Sequence, residues 1–525
     1  MTNHIEQFLV TANEMREIEK RIFVAGMPVP ALMEKVAGLI AKRIQEILTS
    51  REKNITHSSS PMIGVLVGPG HNGGDALVVA RELHFQGYQV IIYCPFSKLK
   101  DLTACHSQYV RSLNIPYFED IENLKKCDVL IDGLFGFGLE REIVNPVAAA
   151  IDEINSWKKP IFSIDIPSGL HTDTGAILGT AIRATNTFCL GLWKLAFLQD
   201  QALEYIGTAE LIDFDIQIAD ITAVLGESPA VKRIVKASAI AHLPLPRRPD
   251  SHKYTNGHLL IVAGSRRYTG AAILAALGAR ASGVGMLSIA APESLKLLVA
   301  AQLPEALVIG CSETTEGAIS QLPLGLDFGA YDAIACGPGL TSEPALIVKS
   351  ILESDRPLIL DADGLNILAQ FGTIPTLSTR KAPTVITPHP GEFKRLFPDL
   401  AHKMGDRIVV TQQAAELSGA VVLLKGARVC ISWKDAIGKV STVINPQSTP
   451  ALARGGSGDV LTGLLAGLWA QAAAKNEPVE SVVETAVWWH AQAGIVAANE
   501  RTELGVDAFT LTQYLISALH NDFSH

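Results

Sequence analysis

The sequence is poor in cysteine. Seven occur in 525 residues (Cys94, Cys105, Cys127, Cys189, Cys311, Cys336 and Cys430), and none forms a CxxC pair. That excludes a disulfide framework, and cysteines inside apolar runs such as 90–94 and 333–336 read as buried thiols of a reducing compartment. Basic charge is also short: 44 Lys and Arg face 53 Asp and Glu, a formal net charge of -9, with no long basic run. No electrostatic footprint for nucleic acid or anionic membranes exists, so any phosphate binding must be local. Missing too is an apolar run of membrane-spanning length, because Gly, Pro and charges interrupt each candidate. The first ten residues lack the basic segment and apolar stretch of a secretory signal. The expectation is a cytoplasmic protein without nucleic-acid or membrane partners. What is abundant is apolar material, 48% against 18% charged residues. Such a chain has enough to bury and is too long for one ordinary core, which suits two domains.

Thr11-Ala-Asn-Glu14 predicts a capping box opening a helix that runs through Arg21, and a second helix is expected over 31–48. The polar, Ser-rich stretch 51–60 reads as a surface loop. Apolar strands at 62–67, 90–94, 128–132 and 161–165 then alternate with helical patterns, which predicts a parallel α/β sheet. Between about 218 and 249 the pattern pauses at Gly226, Pro229, Pro244, Pro246 and Pro249. The expected organisation is a domain over 1–220, a linker over 221–235 and a second domain over 236–525. In the second, strands are expected at 257–263, 286–290, 332–336, 358–361, 384–387 and 421–425. Helices are expected at 270–282, 459–473 and 479–499. The halves share a class but no register of identical motifs.

In the first half, Gly68-Pro-Gly-His-Asn-Gly-Gly-Asp75 follows the first strand, with a helix expected from Asp75. Glycines at the C-terminal edge of a parallel sheet let backbone approach a phosphate, and a helix N-terminus favours an anion. A tight strand-to-helix turn would explain one glycine pair, but not four glycines with Asn72 and Asp75. Asp132 and Asp165 end two further strands and run into Gly133-Leu-Phe-Gly-Phe-Gly-Leu-Glu-Arg141 and Ile166-Pro-Ser-Gly169. Either aspartate alone could be a helix cap. Three convergent loops make a pocket the better reading.

These motifs resemble the NAD(P)H-hydrate epimerase family, a Rossmann-like domain, whose loops read close to GxGNNGGDG, DxLFGTGL and DxPSG. Here His71 replaces the first Asn, Ala76 the last Gly, and Phe137 the Thr. The resemblance implies a substrate cradle of His71, Asn72, Gly73, Gly74 and Asp75 with Gly136, Phe137, Gly138, Leu139, Glu140, Arg141 and Glu142. Asp165 lies beside it as the acid–base group. It also implies a potassium ion (K+) held by Asn72, Asp132 and Ser168; oxygen-only ligands suit potassium and sodium alike.

Late in the chain, Asn445-Pro-Gln-Ser-Thr-Pro-Ala-Leu-Ala-Arg-Gly-Gly-Ser-Gly-Asp459 opens an apolar helix. Gly455, Gly456 and Gly458 free backbone N–H groups to hold a phosphoryl group, and Asp459 can act as base towards a hydroxyl. Asp361-Ala-Asp-Gly-Leu-Asn366 and Thr387-Pro-His-Pro-Gly-Glu392 follow strands, and Lys425-Gly-Ala-Arg-Val429 is expected to form a strand–turn–strand. His252 to Gly257 and Gly264 to Gly270 open the domain, and Gly337-Pro-Gly339 ends a strand. His389 alone would read as a structural histidine and Lys425 alone as a solvated charge; their places at strand ends reverse that.

This half, over about 236–519, resembles the ribokinase-like superfamily, specifically ADP/ATP-dependent NAD(P)H-hydrate dehydratases. The resemblance implies nucleotide contacts from Lys425, Gly426, Ala427, Arg428, Val429 and Gly458. Substrate contacts are implied for Ala272, Gly339, His389 and Asp459, with Asp459 catalytic. It implies Mg2+ bridging phosphates, ADP as co-substrate releasing AMP and phosphate, and the hydrated nicotinamide nucleotides NADHX and NADPHX as substrates. The residues themselves leave ADP and ATP open. A homo-oligomer is expected. Two other readings are compatible with parts of the pattern. One is a ribokinase-like small-molecule kinase, which the TPHPGE run and the fused first half disfavour. The other is a non-catalytic nucleotide-sensing first half, which Asn72, Asp132 and Asp165 disfavour.

Overall fold

The computed structural model describes residues 5–52, 61–435 and 437–523. Most of the polar stretch 51–60 lies outside them. Contacts divide the chain into Met1–Pro229 and Ala230–His525. The stretch 221–235, expected as a linker, carries structure of both units. Helix Ile218–Leu225 packs against helix Ala12–Val24 of the first unit, and strand Val231–Arg233 pairs in parallel with Val440–Ile444 of the second. Glycine and prolines there punctuate short elements instead of opening a long connection.

In the first unit, seven strands form one sheet in the order Tyr117–Phe118, Gln89–Tyr93, Met62–Val67, Val129–Gly133, Ile161–Ile164, Asn186–Leu190 and Thr208–Ile212. Every pairing is parallel. Numbered along the chain the order is 3-2-1-4-5-6-7, a Rossmann-type arrangement that reverses between Met62–Val67 and Val129–Gly133. The central strands Met62–Val67, Val129–Gly133 and Ile161–Ile164 are almost wholly buried, which is why they read as continuous apolar runs rather than alternations. Helix Ala12–Val24 opens with the expected capping box: the Thr11 side chain accepts from Glu14 N, and the Glu14 carboxylate accepts from Thr11 N. A two-residue parallel pairing of Leu9–Val10 with Trp193–Lys194 ties the start of this helix to the chain beyond the sixth strand.

The second unit is an α/β unit on an eleven-stranded, mixed sheet. Its parallel centre runs Leu307–Glu313, Met286–Pro292, His258–Val262, Ala333–Cys336, Leu358–Leu360, Thr384–Ile386 and Val421–Leu424. Antiparallel strands Cys430–Lys434 and Val440–Ile444 extend one side. Helices Thr269–Ala281 and Ser457–Ala473 cross at very short range. A Cβ at Gly463 would stand 1.7 Å from the Ala275 carbonyl oxygen, so only glycine admits this approach. That contact fixes the N-terminus of the 457–473 helix over the sheet edge. Among the described residues no single helix is long and apolar enough to cross a membrane.

Candidate functional site

The glycine loop of the first unit sits at the sheet's switch point, where its two halves diverge and leave a crevice. The helix begins at His71 rather than at the expected Asp75, so the loop is shorter and Asp75 lies inside the helix. Close packing demands this sequence. A Cβ at Gly73 would meet the Gly68 carbonyl oxygen at 2.0 Å, and one at Gly133 would meet the Ala76 Cβ at 2.4 Å. Ala76, standing where the resembled motif has glycine, is accommodated because Gly133 faces it. A cavity of 830 Å³ opens above, lined by the loop, by residues 134–141, by Asp165 and by part of helix Ala12–Val24.

Asp165 is held at φ +70°, and it is 3% exposed. One carboxylate oxygen accepts from Phe137 N at 2.9 Å, and the other accepts from the fully buried Lys194 Nζ at 2.6 Å. Lys194 also donates to the Leu190 carbonyl at 2.6 Å. Burial works against its ammonium, but Asp165, Cys189 and Glu19 outweigh that and leave its pKa raised. Asp75 and Glu19 face the same cavity. Burial, with the charges of Asp165 and Glu19, holds the Asp75 carboxyl well above the ordinary carboxylate range. Burial pushes Glu19 up to about 7, with Lys194 and Arg16 opposing and Asp165 adding. Phe137, in place of the resembled threonine, has Lys194 Nζ and the Arg16 guanidinium 5.6 and 5.9 Å from its ring centre.

Asp132 and Ser168 form one buried cluster. Asp132 accepts from Ser168 Oγ at 2.6 Å, Ser163 Oγ at 2.8 Å, Ser168 N at 2.9 Å and Leu134 N at 3.2 Å. Ser168 Oγ also lies 3.1 Å from the Phe135 carbonyl oxygen, so its proton can turn there and leave the Asp132 oxygens to a cation. Asn72 packs against Gly136 and has a buried amide nitrogen without a partner. The oxygens of Asp132 and Ser168 suit a hard monovalent cation, which Asn72 could join only through its amide oxygen, since its unpartnered nitrogen is a donor.

The second unit gathers its chemistry at the ends of three parallel strands. Lys425 Nζ donates to the buried Asp361 at 2.5 Å, and Thr462 Oγ1 from the 457–473 helix donates to the other Asp361 oxygen at 2.6 Å. This brings the helix N-terminus to Lys425: a Cβ on Gly458 would lie 3.1 Å from Lys425 Nζ. Asp459 is pushed up to about 7 by burial and by Asp361, against the pull of Lys425. Burial likewise pushes Glu392 up to about 7, opposed by Lys425. His389 caps helix Pro390–Leu396, accepting from Gly391 N through Nδ1 at 2.9 Å, while its backbone N donates to Glu392 at 2.8 Å. Arg407 braces the Lys425–Val429 turn by donating to the Leu424 and Lys425 carbonyls at 3.1 and 2.8 Å. A positively charged lysine, a helix N-terminus and an acid poised near neutrality suit transfer of a phosphoryl group to a hydroxyl. Among the described residues no three His, Cys, Asp or Glu side chains are arranged to hold a metal ion by themselves.

His71, Asn72, Asp75, Gly136 to Arg141 and Asp165 all line the first cavity, whereas Gly73, Gly74 and Glu142 do not. The two glycines are buried beneath it. In the second unit Lys425, Gly458 and Asp459 converge. Gly339, at φ +65°, packs on Tyr268 and Ala271. Ala272 is wholly buried and packs against Gly264. Sequence reasoning missed Lys194 and Glu19. Lys194 had a signal: it is the lone charge in the apolar run 186–198. Glu19 had a weaker one, lying four residues after Met15 on the helix face that buries Met15 and Ile18.

Comparison with known proteins agrees with this division. A family described as NAD(P)H-hydrate dehydratase matches residues 259–517, and one described as YjeF-related protein N-terminus matches residues 29–196. The chain is 50% identical over 511 residues to the bifunctional NAD(P)H-hydrate repair enzyme Nnr of Thermosynechococcus vestitus, covering 97% of each chain. It is 35% identical to the Nnr of Thermofilum pendens, covering 87% of this chain and 88% of that one. Among solved structures, an ADP/ATP-dependent NAD(P)H-hydrate dehydratase from Bacillus subtilis, co-crystallized with ATP and Mg2+, is 31% identical with a TM-score of 0.45; the match covers 55% of this chain and 98% of that one. Similarity along both halves sets aside a small-molecule kinase fused to a sensing module. The chain belongs to the bifunctional NAD(P)H-hydrate repair enzyme family.

Proposed function

We propose that the first unit interconverts the R and S epimers of NADHX and NADPHX, and that the second dehydrates the S epimer with ADP, giving AMP and phosphate. The observation that carries this reading is the pair of separate sites at two sheet edges, each built around a lysine–aspartate ion pair with further acids beside it. In the first, the substrate's nicotinamide ring lies over Asp165. The ring nitrogen lone pair expels the C6 hydroxyl and readmits water, so inversion needs little beyond a proton donor and acceptor. Lys194 and Phe137 N orient the Asp165 carboxylate for that exchange. A potassium ion at Asn72, Asp132 and Ser168 would supply fixed positive charge for orienting the substrate.

In the second unit, Asp459 takes the proton of the C6 hydroxyl as its oxygen attacks the β-phosphorus of ADP. AMP leaves. The N–H groups at the start of the 457–473 helix and Lys425 receive the charge on the transferring group. The C6–O bond then breaks towards phosphate, a far better leaving group than hydroxide, with electrons from the ring nitrogen. Loss of a C5 proton restores the dihydronicotinamide. Mg2+ would neutralise phosphate charge in this transfer, with Asp361, Asp363 and Glu392 the nearby carboxylates. The test is direct. The protein is mixed with an epimer mixture and either ADP or ATP, and recovery of reduced-nicotinamide absorbance is followed. Complete recovery, faster with ADP, is expected. Recovery only with ATP, or no recovery, contradicts the proposal.

A further inference from the structure

We propose that Glu19 is a second catalytic acid–base group of the first unit, serving one face of the nicotinamide ring while Asp165 serves the other. This rests on the reading of that unit as the epimerase.

The position is an unusual place for a carboxylate. Helix Ala12–Val24 buries Met15 and Ile18, and Glu19 follows on the same side, facing a cavity whose other walls include Phe23, Leu32, Met33 and Phe214. A carboxyl brought against apolar walls is costly unless it is paired. Among the described residues Glu19 has neither a hydrogen bond nor an ion-pair partner, although Arg16 on its own helix is within reach of a carboxylate and pairs instead with Glu140 at 3.2 Å. Its placement is nonetheless rigid. The capping box at Thr11, the bond from Ala12 N to Asp173 at 2.7 Å and the pairing of Leu9–Val10 with Trp193–Lys194 hold the helix against the strand that carries Lys194. The groups that act on Glu19 come from four elements: Arg16 from its helix, Lys194 from that strand, Asp165 from the end of Ile161–Ile164, and Asp75 from helix His71–Phe85. His71, Lys100, Glu140 and Arg141 complete the charged lining.

Inversion at C6 needs two such groups. Glu19 gives its proton to the departing hydroxyl; the C6–O bond breaks with its electrons to water, and the ring nitrogen lone pair closes the C6–N double bond. Water then adds from the other face, Asp165 takes the proton it releases, and the nitrogen regains its lone pair. The opposite direction exchanges the roles, and solvent protons reset both groups. Asp165 is tied to Lys194 at 2.6 Å. Glu19 is not, and its pKa of about 7 lets it act as donor and acceptor near neutral pH.

The experiment uses the full chain without nucleotide, so that the dehydratase consumes nothing, and follows R-to-S conversion across pH. In the wild-type chain a limb near pH 7 is expected in the kcat profile. Glu19→Gln should lower kcat by about 100-fold or more, leave KM little changed and erase that limb. Glu19→Asp should restore part of the rate and the limb. A Glu19→Gln variant with wild-type kcat, or a slower one whose pH profile is unshifted, overturns the proposal. If the Gln variant does not fold, Glu19→Asp decides: an unaltered kcat and profile overturn the proposal, and a reduced kcat with a displaced limb supports it. A wild-type chain that does not accelerate interconversion at all refutes the epimerase reading instead.

Discussion

The seven strands of the second unit's parallel centre follow the same order as the first unit's sheet, 3-2-1-4-5-6-7, and both units carry at the C-terminal edge a buried aspartate bound to a lysine. The use of that pair differs. In the first unit Lys194 is fully buried and Asp165, the carboxylate it holds, faces the cavity and is the proposed reacting group. In the second, Asp361 is buried and spends both oxygens on Lys425 and Thr462, while Asp459, with no such lysine bond, is the proposed base. Topology decides where a site stands; the side chains at the strand ends decide its reaction.

The largest test of this contrast is Asp459→Asn. Loss of the base should lower dehydration kcat by about 10²–10⁴-fold, with nucleotide affinity largely kept, because the role belongs to the transition state. Turnover at the wild-type rate would remove Asp459 from the mechanism. Next come the ion pairs. Asp165→Ala strands Lys194 at 0% exposure, and breaking such a buried pair costs about 3–5 kcal/mol. Asp361→Ala leaves Lys425, whose side chain is 20% exposed and can turn to solvent, so its unit should lose less stability. Denaturant unfolding resolved by unit checks the order, and the reverse order would equate the two pairs. The smallest effect is on pH. Asp459 must be ionised to accept a proton, and its pKa is raised to about 7, so dehydration kcat should fall as pH drops below that value, by about tenfold per unit. A profile flat down to the ordinary carboxylate range would place the base elsewhere.

Much of this was legible in the sequence because parallel strands are buried on both faces and read as apolar runs. Met62–Val67 is found at its expected bounds, and Asp132, Asp165, Asp361 and Lys425 lie at or just beyond strand ends as expected. Strands Asn186–Leu190 and Thr208–Ile212 were not anticipated, since no ligand-bearing glycine loop marks their ends. The Asp361–Lys425 pair spans 64 residues, and no local pattern reveals it. Glu19 carries only the weak signal of its helix face, since its neighbours Asp165 and Lys194 are distant in sequence. The helix starting at His71 instead of Asp75 shows that glycines tolerated in a first turn need not delay it.

The division of labour between the units is tested most directly by full-length Asp165→Asn given an R and S epimer mixture with ADP. Recovery of reduced-nicotinamide absorbance should proceed rapidly through the S fraction. It should then slow to the spontaneous inversion rate, with the R epimer remaining and wild-type chain added in trans restoring full recovery. Complete recovery of both epimers by the variant at the wild-type rate would contradict the account, leaving Asp165 a structural residue and the epimerising group elsewhere.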